Sequence, residues 1–378
     1  MAQTIASSSN AAGVVVAHVP DPADHASEHE RATLLGFARQ LACLMGYEEG
    51  GLYDPSRPYA RRPYFVPSST LTCEEAAALG IRGPDDLFGG VVPHRFVGTK
   101  AISHPLVSAG AAAPSGWRAE LATRLCDTVL RGHAAFSQAD AREGGLRLLA
   151  CGPLRIKAVR ATGGHGQSVV RDAAQLEAAL DAMDKDEVEA HGVVLEEDLD
   201  DVRTFSVGQV QVGGLTASYF GVQRLTRNNR GEVVFGGSDL DVSRGGYEAV
   251  LSLELTPEVR RAVEQARRYD AAVKEMFPAF HASRSNYDVA LGRDAQGQWR
   301  SGVLEQSWRV GGATGPELAA LAALNDDPAR LRVRASCFEL FGDSPEPPPH
   351  ATVYFRGDDA RAGRLTKYTV IEQHGDAR

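Results

Sequence analysis

The chain has 378 residues, 43% of them apolar and 24% charged, with a formal net charge of −9. That length is enough for two or three packed units, and the composition is that of an ordinary globular protein. With its arginines scattered among acids, the sequence offers no basic surface for a nucleic-acid backbone or an anionic membrane.

Residues 1–12 are small and polar, with no basic stretch before an apolar run. They read as a disordered tail and not as a secretory signal. No segment reaches the roughly 18 uninterrupted apolar residues of a membrane span. The five cysteines (Cys43, Cys73, Cys126, Cys151 and Cys337) are dispersed, without a C-x-x-C pair. This predicts reduced thiols in a cytoplasmic protein, mostly small buried side chains, and no disulfide framework or zinc site.

In chain order, 14–17 predicts a buried strand. Ser27, with Glu30 three residues on, predicts a capped helix carrying Leu34, Leu35, Phe37, Leu41 and Leu44. The Tyr/Pro/Arg-rich stretch 50–67 reads as an ordered loop, and 91–97 as a strand ending at Gly98-Thr99-Lys100. A strand, helix and strand over the first ~110 residues predicts a small α/β domain. Further on, 117–135 has helical periodicity, while 146–151 and 155–161 look like strands. Asp172 and Gln175 open another helix. Strands follow at 193–195, 204–212 and 215–222. Thr256-Pro257 starts a helix in the favoured way, with a cap residue and then proline in the first turn. Helices are expected over 316–324 and from Asp327-Pro328. A proline-rich linker at 344–350 and one or two terminal strands complete the chain.

Three segments carry candidate chemistry. The strand containing Lys157 runs into Gly163-Gly164-His165-Gly166-Gln167. A lysine in a strand is ordinarily on a solvated face, and glycine clusters are commonly hairpin turns. Backbone N–H groups of such a loop can also approach an anion closely, with the lysine as a point charge beside it. The loop is neither a Walker A loop nor a G-x-G-x-x-G fingerprint. The run Glu196-Glu197-Asp198-Leu199 follows a buried strand. It is either a strand reaching solvent or a hinge whose backbone pairs with an adenine edge while Leu199 packs on the ring. Finally, Asp288 and the series Glu305, Ser307, Arg309 and Gly311-Gly312 lie on two strand-like runs. Glu305 and Ser307 share a face, so with Asp288 and a nucleotide they can supply oxygen ligands to a divalent cation. Their ordinary alternative is an exposed acid and a salt-bridge partner. His94 and His104 flank Lys100 without a nameable partner. No H-E-x-x-H spacing and no nucleophile–base arrangement occurs.

Taken in order, these parts resemble the ATP-grasp superfamily. Lys157, the loop Gly163 to Gly166, the linker Glu196-Glu197-Asp198-Leu199, Asp288 and the Glu305-x-Ser307-x-Arg309-x-Gly311-Gly312 strand match its motifs over roughly residues 95–325. The chain is also similar to an uncharacterised bacterial family of such proteins, which supplies no substrate. One departure is Ser307, where the superfamily commonly has asparagine.

The resemblance implies an ATP-grasp fold of α/β class, with two α+β subdomains behind a small N-terminal α/β pre-ATP-grasp domain. The implied bounds are 13–110 for the N-terminal domain, 111–192 for a lid subdomain, 193–343 for the large subdomain with the metal site, and 344–378 for the linker and terminal strands. It further implies ADP-forming ligation of a small-molecule carboxylate to an amine through an acyl phosphate. Lys100, Lys157, Gly163, Gly164, His165, Gly166, Gln167, Glu196, Glu197 and Leu199 would hold ATP. Asp288, Glu305 and Ser307 would hold Mg²⁺ or Mn²⁺, and Arg309 and Arg244 would stabilise transferred charge. The same parts suit a small-molecule kinase, or a nucleotide-binding protein without turnover whose mark is Ser307.

Overall fold

A computed structural model describes residues 12–20, 27–160 and 166–372, and the counts below refer to those residues. The expected tail at 1–12, apart from its last residue, lies outside them, as do Gly163, Gly164 and His165.

The N-terminal unit begins with β1 (Val14–His18), whose β-branched run suits a buried strand. Helix α1 (Glu28–Met45) starts at the expected cap. Ser27 Oγ accepts from Glu30 N at 3.3 Å and donates to the Glu30 carboxylate at 3.0 Å. Strands β2 (Glu48–Leu52) and β3 (Pro63–Pro67) flank β1 in parallel. The stretch 50–67, expected as a loop, therefore has strand at both ends. Next come β4 (Leu71–Thr72), α2 (Cys73–Ala78) with a capping box between Thr72 and Glu75, and β5 (Gly90–Val92). The strand expected over 91–97 stops at Val92 and gives way to 3₁₀ turns at Arg95–Gly98 and Lys100–Ser103.

Helix α3 (Ala119–Leu125) is much shorter than the helix expected over 117–135, because the chain turns at Cys126 and enters β6 (Gly132–Ala135). Then follow α4 (Gln138–Leu149), β7 (Leu154–Ala158), β8 (Gln167–Val170), α5 (Ala173–Asp181), α6 (Lys185–His191) and β9 (Val193–Glu197). Asp172 caps α5 as expected, its carboxylate accepting from Gln175 N at 2.8 Å. The strands form an antiparallel sheet in the order β6-β9-β7-β8, with Leu148, Leu176 and Leu180 packing on Leu154, Ile156 and Leu195. Strand β9 belongs to this sheet, which therefore includes residues through Glu197.

The remaining elements are β10 (Asp200–Val212), β11 (Leu215–Arg227), β12 (Val233–Arg244), α7 (Tyr247–Leu251), α8 (Pro257–Met276), β13 (His281–Ala282), β14 (Arg284–Arg293), β15 (Trp299–Ser307), α9 (Thr314–Asp326), β16 (Arg332–Phe341), β17 (Thr352–Asp359) and β18 (Gly363–Ile371). Eight of these strands make one antiparallel sheet, ordered β15-β14-β10-β11-β12-β16-β18-β17. The terminal strands are thus part of the large sheet, and the chain after Asp327 enters β16 instead of a helix. Strand β13 pairs with β5 and ties the sheet to the N-terminal unit.

Tyr287 and Val289 pack with Phe205, Val207 and the α8 residues Val263, Tyr269 and Val273. Strand alternation then puts Asn286 and Asp288 on the opposite face. That face also carries α9 and α1, in a shared core with Val210, Tyr219, Leu240 and Leu321. No helix among the described residues is long and apolar enough to cross a membrane.

Candidate active site

Adjacent strands set the acidic pair. Asp288 lies opposite Glu305 across β14 and β15, and Asn286 lies opposite Ser307. Directly paired side chains sit about 5 Å apart at Cβ. The register shifts between Asp288 and Val289, so Leu304 is the extra residue of a bulge next to Glu305. Asp288 Oδ1 accepts from Asn286 Nδ2 at 3.0 Å and from Ser206 Oγ at 3.3 Å. Burial first, and then the neighbouring Glu305 charge, pushes the Asp288 carboxyl up to about 6. Burial would raise Glu305 too, but Lys100, and after it Lys157 and Arg309, outweigh that and hold it below the usual carboxylate range. Both lysines and Arg309 therefore act on one carboxylate.

Lys100 Nζ is 2.9 Å from Glu305 Oε2, and the lysine is 6% exposed. Its position is set from the other face of β15. Gln306 Nε2 donates to the carbonyls of Val97 (3.2 Å) and Thr99 (2.6 Å), clamping the turn that carries Lys100. Ser103 and Tyr269 hydroxyls meet at 2.9 Å and tie the same turn to α8.

Lys157 faces inward, against the ordinary expectation for a strand lysine, and its ammonium meets the Glu196 carboxylate. His104 Nε2 lies 3.1 Å from the other Glu196 oxygen, so His104 has the partner that the sequence did not reveal. It fits because position 132 is glycine. A Cβ there would lie 2.7 Å from His104 Nδ1. Burial alone would raise Glu196, but Lys157 and then His104 outweigh it and hold the carboxyl down to about 2. A depressed folded-state value means stability that is full above the unfolded value and lost as pH falls toward 2. The urea midpoint is therefore expected to decline between about pH 4.5 and pH 2. Lys157→Ala should flatten that decline. An unchanged profile in the variant would detach Glu196 from Lys157.

Glu197 points away from Glu196. Arg131 clasps it through Nε (2.9 Å), Nη2 (2.7 Å) and its backbone N–H (3.0 Å). Asp198 pairs with Arg155 at 2.7 Å. The acidic run is thus neither an exposed strand end nor three ligands to one group. Leu199 packs with Leu130, Ala290 and Leu304 in a small apolar cluster. Because Leu304 directly precedes Glu305, that apolar cluster lies next to the acids.

Beneath the acids lies a buried polar relay that local motifs do not announce. Arg284 (1% exposed) and Glu317 of α9 (0%) form a two-pronged pair, both contacts at 2.8 Å. The Tyr219 hydroxyl sits between the Glu317 carboxylate and the Asn286 amide, 2.8 Å from Asn286 Oδ1, and Asn286 in turn supports Asp288. Arg284 also donates to the Ser307 carbonyl (3.1 Å), the Ser307 hydroxyl (3.4 Å) and the Arg309 carbonyl. One buried arginine thereby fixes the end of β15.

The remaining expected residues divide. Gly166 accepts from Ala158 N at 3.0 Å, and Gln167 opens β8 opposite Lys157. Arg309 lies close enough to act on Glu305, with Nη1 donating to Val310 O at 2.7 Å. Arg244 is not brought to this cluster. Its guanidinium donates to the carbonyls of Leu324, Asp327 (3.2 Å) and Arg330 (3.1 Å), closing the C-terminal end of α9. Among the described residues no three His, Cys, Asp or Glu side chains group as a metal-ligand set. Two facing carboxylates and a hydroxyl still fit Mg²⁺, which is commonly held by one or two carboxylates plus substrate phosphates.

A family model described as "Protein of unknown function (DUF3182)" matches residues 15–369. No curated protein matches the sequence. Among solved structures, the chain is similar to a phosphoribosylamine–glycine ligase from Thermotoga maritima (TM-score 0.51, 16% identity, 95% of this chain and 92% of that one). It is also similar to an N5-carboxyaminoimidazole ribonucleotide synthetase in an ADP complex (0.49, 11%, 96% and 93%). A third is D-alanyl-alanine synthetase A from Vibrio cholerae (0.46, 12%, 84% and 95%). The likeness to the first over nearly both full lengths, together with the sheet orders above, identifies the fold as ATP-grasp with an N-terminal α/β unit.

Proposed function

The chain belongs to the DUF3182 family, and we propose that it is an ATP- and Mg²⁺-dependent ligase joining a small carboxylate to an amine. The observation that carries this reading is the 2.9 Å contact of Lys100 with Glu305, which Asp288 faces across the strand pair, while Lys157 and Arg309 lie near enough to lower the same carboxyl. Three cations and two acids on one patch suit a triphosphate and its divalent ion. The likeness to a solved phosphoribosylamine–glycine ligase accords with that reading.

In the proposed reaction a carboxylate oxygen attacks the γ-phosphorus and the bond to ADP breaks, ADP leaving with the electron pair. The amine nitrogen then attacks the acyl carbon of the acyl phosphate. Inorganic phosphate leaves, and the nitrogen gives its proton to solvent. Lys100 and Lys157 neutralise phosphate charge, and Arg309 steadies the charge that develops on the transferred group. Asp288, Glu305 and Ser307 would hold the ion, which would supply charge neutralisation when bound. Leu199 and Leu304 take the adenine, with Glu196 fixed beside it. A reduced, ATP-rich cytoplasm suits the chemistry.

Purified protein with ATP–Mg²⁺ is to be screened against pooled carboxylates and amines for ADP release, with mass detection of products. Release that needs both pools supports the ligase. Phosphorylated product without amine dependence favours a kinase, and no ADP with any pool overturns both. Lys157→Ala should weaken ATP binding by about 10–100-fold, since a charged hydrogen bond contributes about 1.5–3 kcal/mol. Calorimetric titration returning wild-type affinity would take Lys157 out of the phosphate site.

A further inference from the structure

A cleft of about 600 Å³ lies against α8, on the α8 side of the large sheet, and none of its lining residues is Asp288 or Glu305. Its volume is that of a small-molecule site. Its walls are α8, the start of β15 and the two chain crossings into the lid, represented by Leu130, Arg131 and Glu197. Five arginines line it (Arg131, Arg260, Arg261, Arg268 and Arg300) against three acids (Asp127, Glu197 and Glu264). The cleft is therefore net positive in a chain whose net charge is −9.

These arginines are not equivalent. Arg131 and Arg300 both face Glu197, and Arg260 donates to the carbonyls of Leu251 and Leu253. Arg261 and Arg268 have no ion-pair or hydrogen-bond partner among the described residues, although each lines the cleft. Seven residues apart on α8, they share a face, about 10 Å from each other along the axis. Trp299 stands in the same cleft, 55% exposed, with Arg293 stacked over its ring at 4.5 Å.

We infer that this cleft binds an extended small polyanion of the oligophosphate class, with Arg261 and Arg268 as its two anchors. Guanidinium forks suit phosphoryl oxygens, and two forks about 10 Å apart favour a ligand with spaced charges over a single monoanion. Its two anchors do not depend on the ligase reading, because neither Arg261 nor Arg268 belongs to the Lys100–Glu305 cluster; Leu130, which packs with Leu199 and Leu304, is where the cleft borders that site.

The test uses the full chain and inorganic tripolyphosphate without added metal. Calorimetry on the Lys157→Ala protein, with its proposed catalytic phosphate contact removed, should show saturable binding. Adding Arg261→Ala and Arg268→Ala should weaken that binding at least tenfold, while Glu264→Gln should tighten it. Tryptophan emission should respond to tripolyphosphate, and Trp299→Phe should abolish the response while calorimetric binding persists. No saturable binding to the Lys157→Ala protein, or affinity indifferent to both arginines, overturns the site. Circular dichroism of the arginine variants separates lost binding from lost folding.

Discussion

Replacing Glu305 with glutamine is expected to cut ATP-dependent turnover by on the order of 10²–10³-fold while leaving the fold in place. The size follows from removing one preorganised charged group from a site where transferred charge is stabilised. The intact fold follows from the surroundings. Glu305 is 36% exposed, so its amide isostere remains partly solvated and can still accept from Lys100 at the end of β15. Two effects on stability oppose each other. The carboxylate is held below its ordinary range by Lys100, Lys157 and Arg309, and that favourable interaction is lost. The same carboxylate is part of what pushes Asp288 up to about 6, and that repulsion is lost too. Thermal midpoints close to wild type, with turnover and its Mg²⁺ dependence gone, are the expected pair of results. Full turnover with an unchanged Mg²⁺ requirement would remove Glu305 from the ion site.

The residues legible in the sequence were those whose signal is local. Lys157 precedes its glycines, Glu305 and Arg309 fall within five residues at and just past the end of β15, and Ser27 and Asp172 announce their helices. What stayed hidden was brought together by the fold. His104 meets Glu196 from 92 residues away, and Gln306 reaches Val97 across 209. Arg244 shows the converse. It was expected to stabilise transferred charge, yet the side chain reaches the end of α9, and no local pattern encodes that reach. Residues 146–151 failed for another reason. A short apolar run does not separate strand from helix, and Gly144 and Gly145 argue against helix on propensity. Packing decides for helix, because a Cβ at position 145 would lie 2.7 Å from Leu176 of α5.

Arg284→Met should destabilise the protein by about 3–5 kcal/mol, the usual cost of leaving one partner of a buried ion pair uncompensated. Glu317 is fully buried, and without Arg284 its carboxylate keeps, among the described residues, the Tyr219 hydroxyl as its remaining side-chain partner. The damage extends to β15, because the Ser307 and Arg309 carbonyls lose their shared donor. Adding Glu317→Gln to Arg284→Met replaces the buried charge with a neutral amide and should recover part of the loss, a coupling that a double-mutant cycle reads directly. Urea midpoints at constant slope are the measure. If Arg284→Met stays within about 1 kcal/mol of wild type, the relay is ornamental to stability, and the order of β15 at Ser307 must come from its pairing with Asn286 alone.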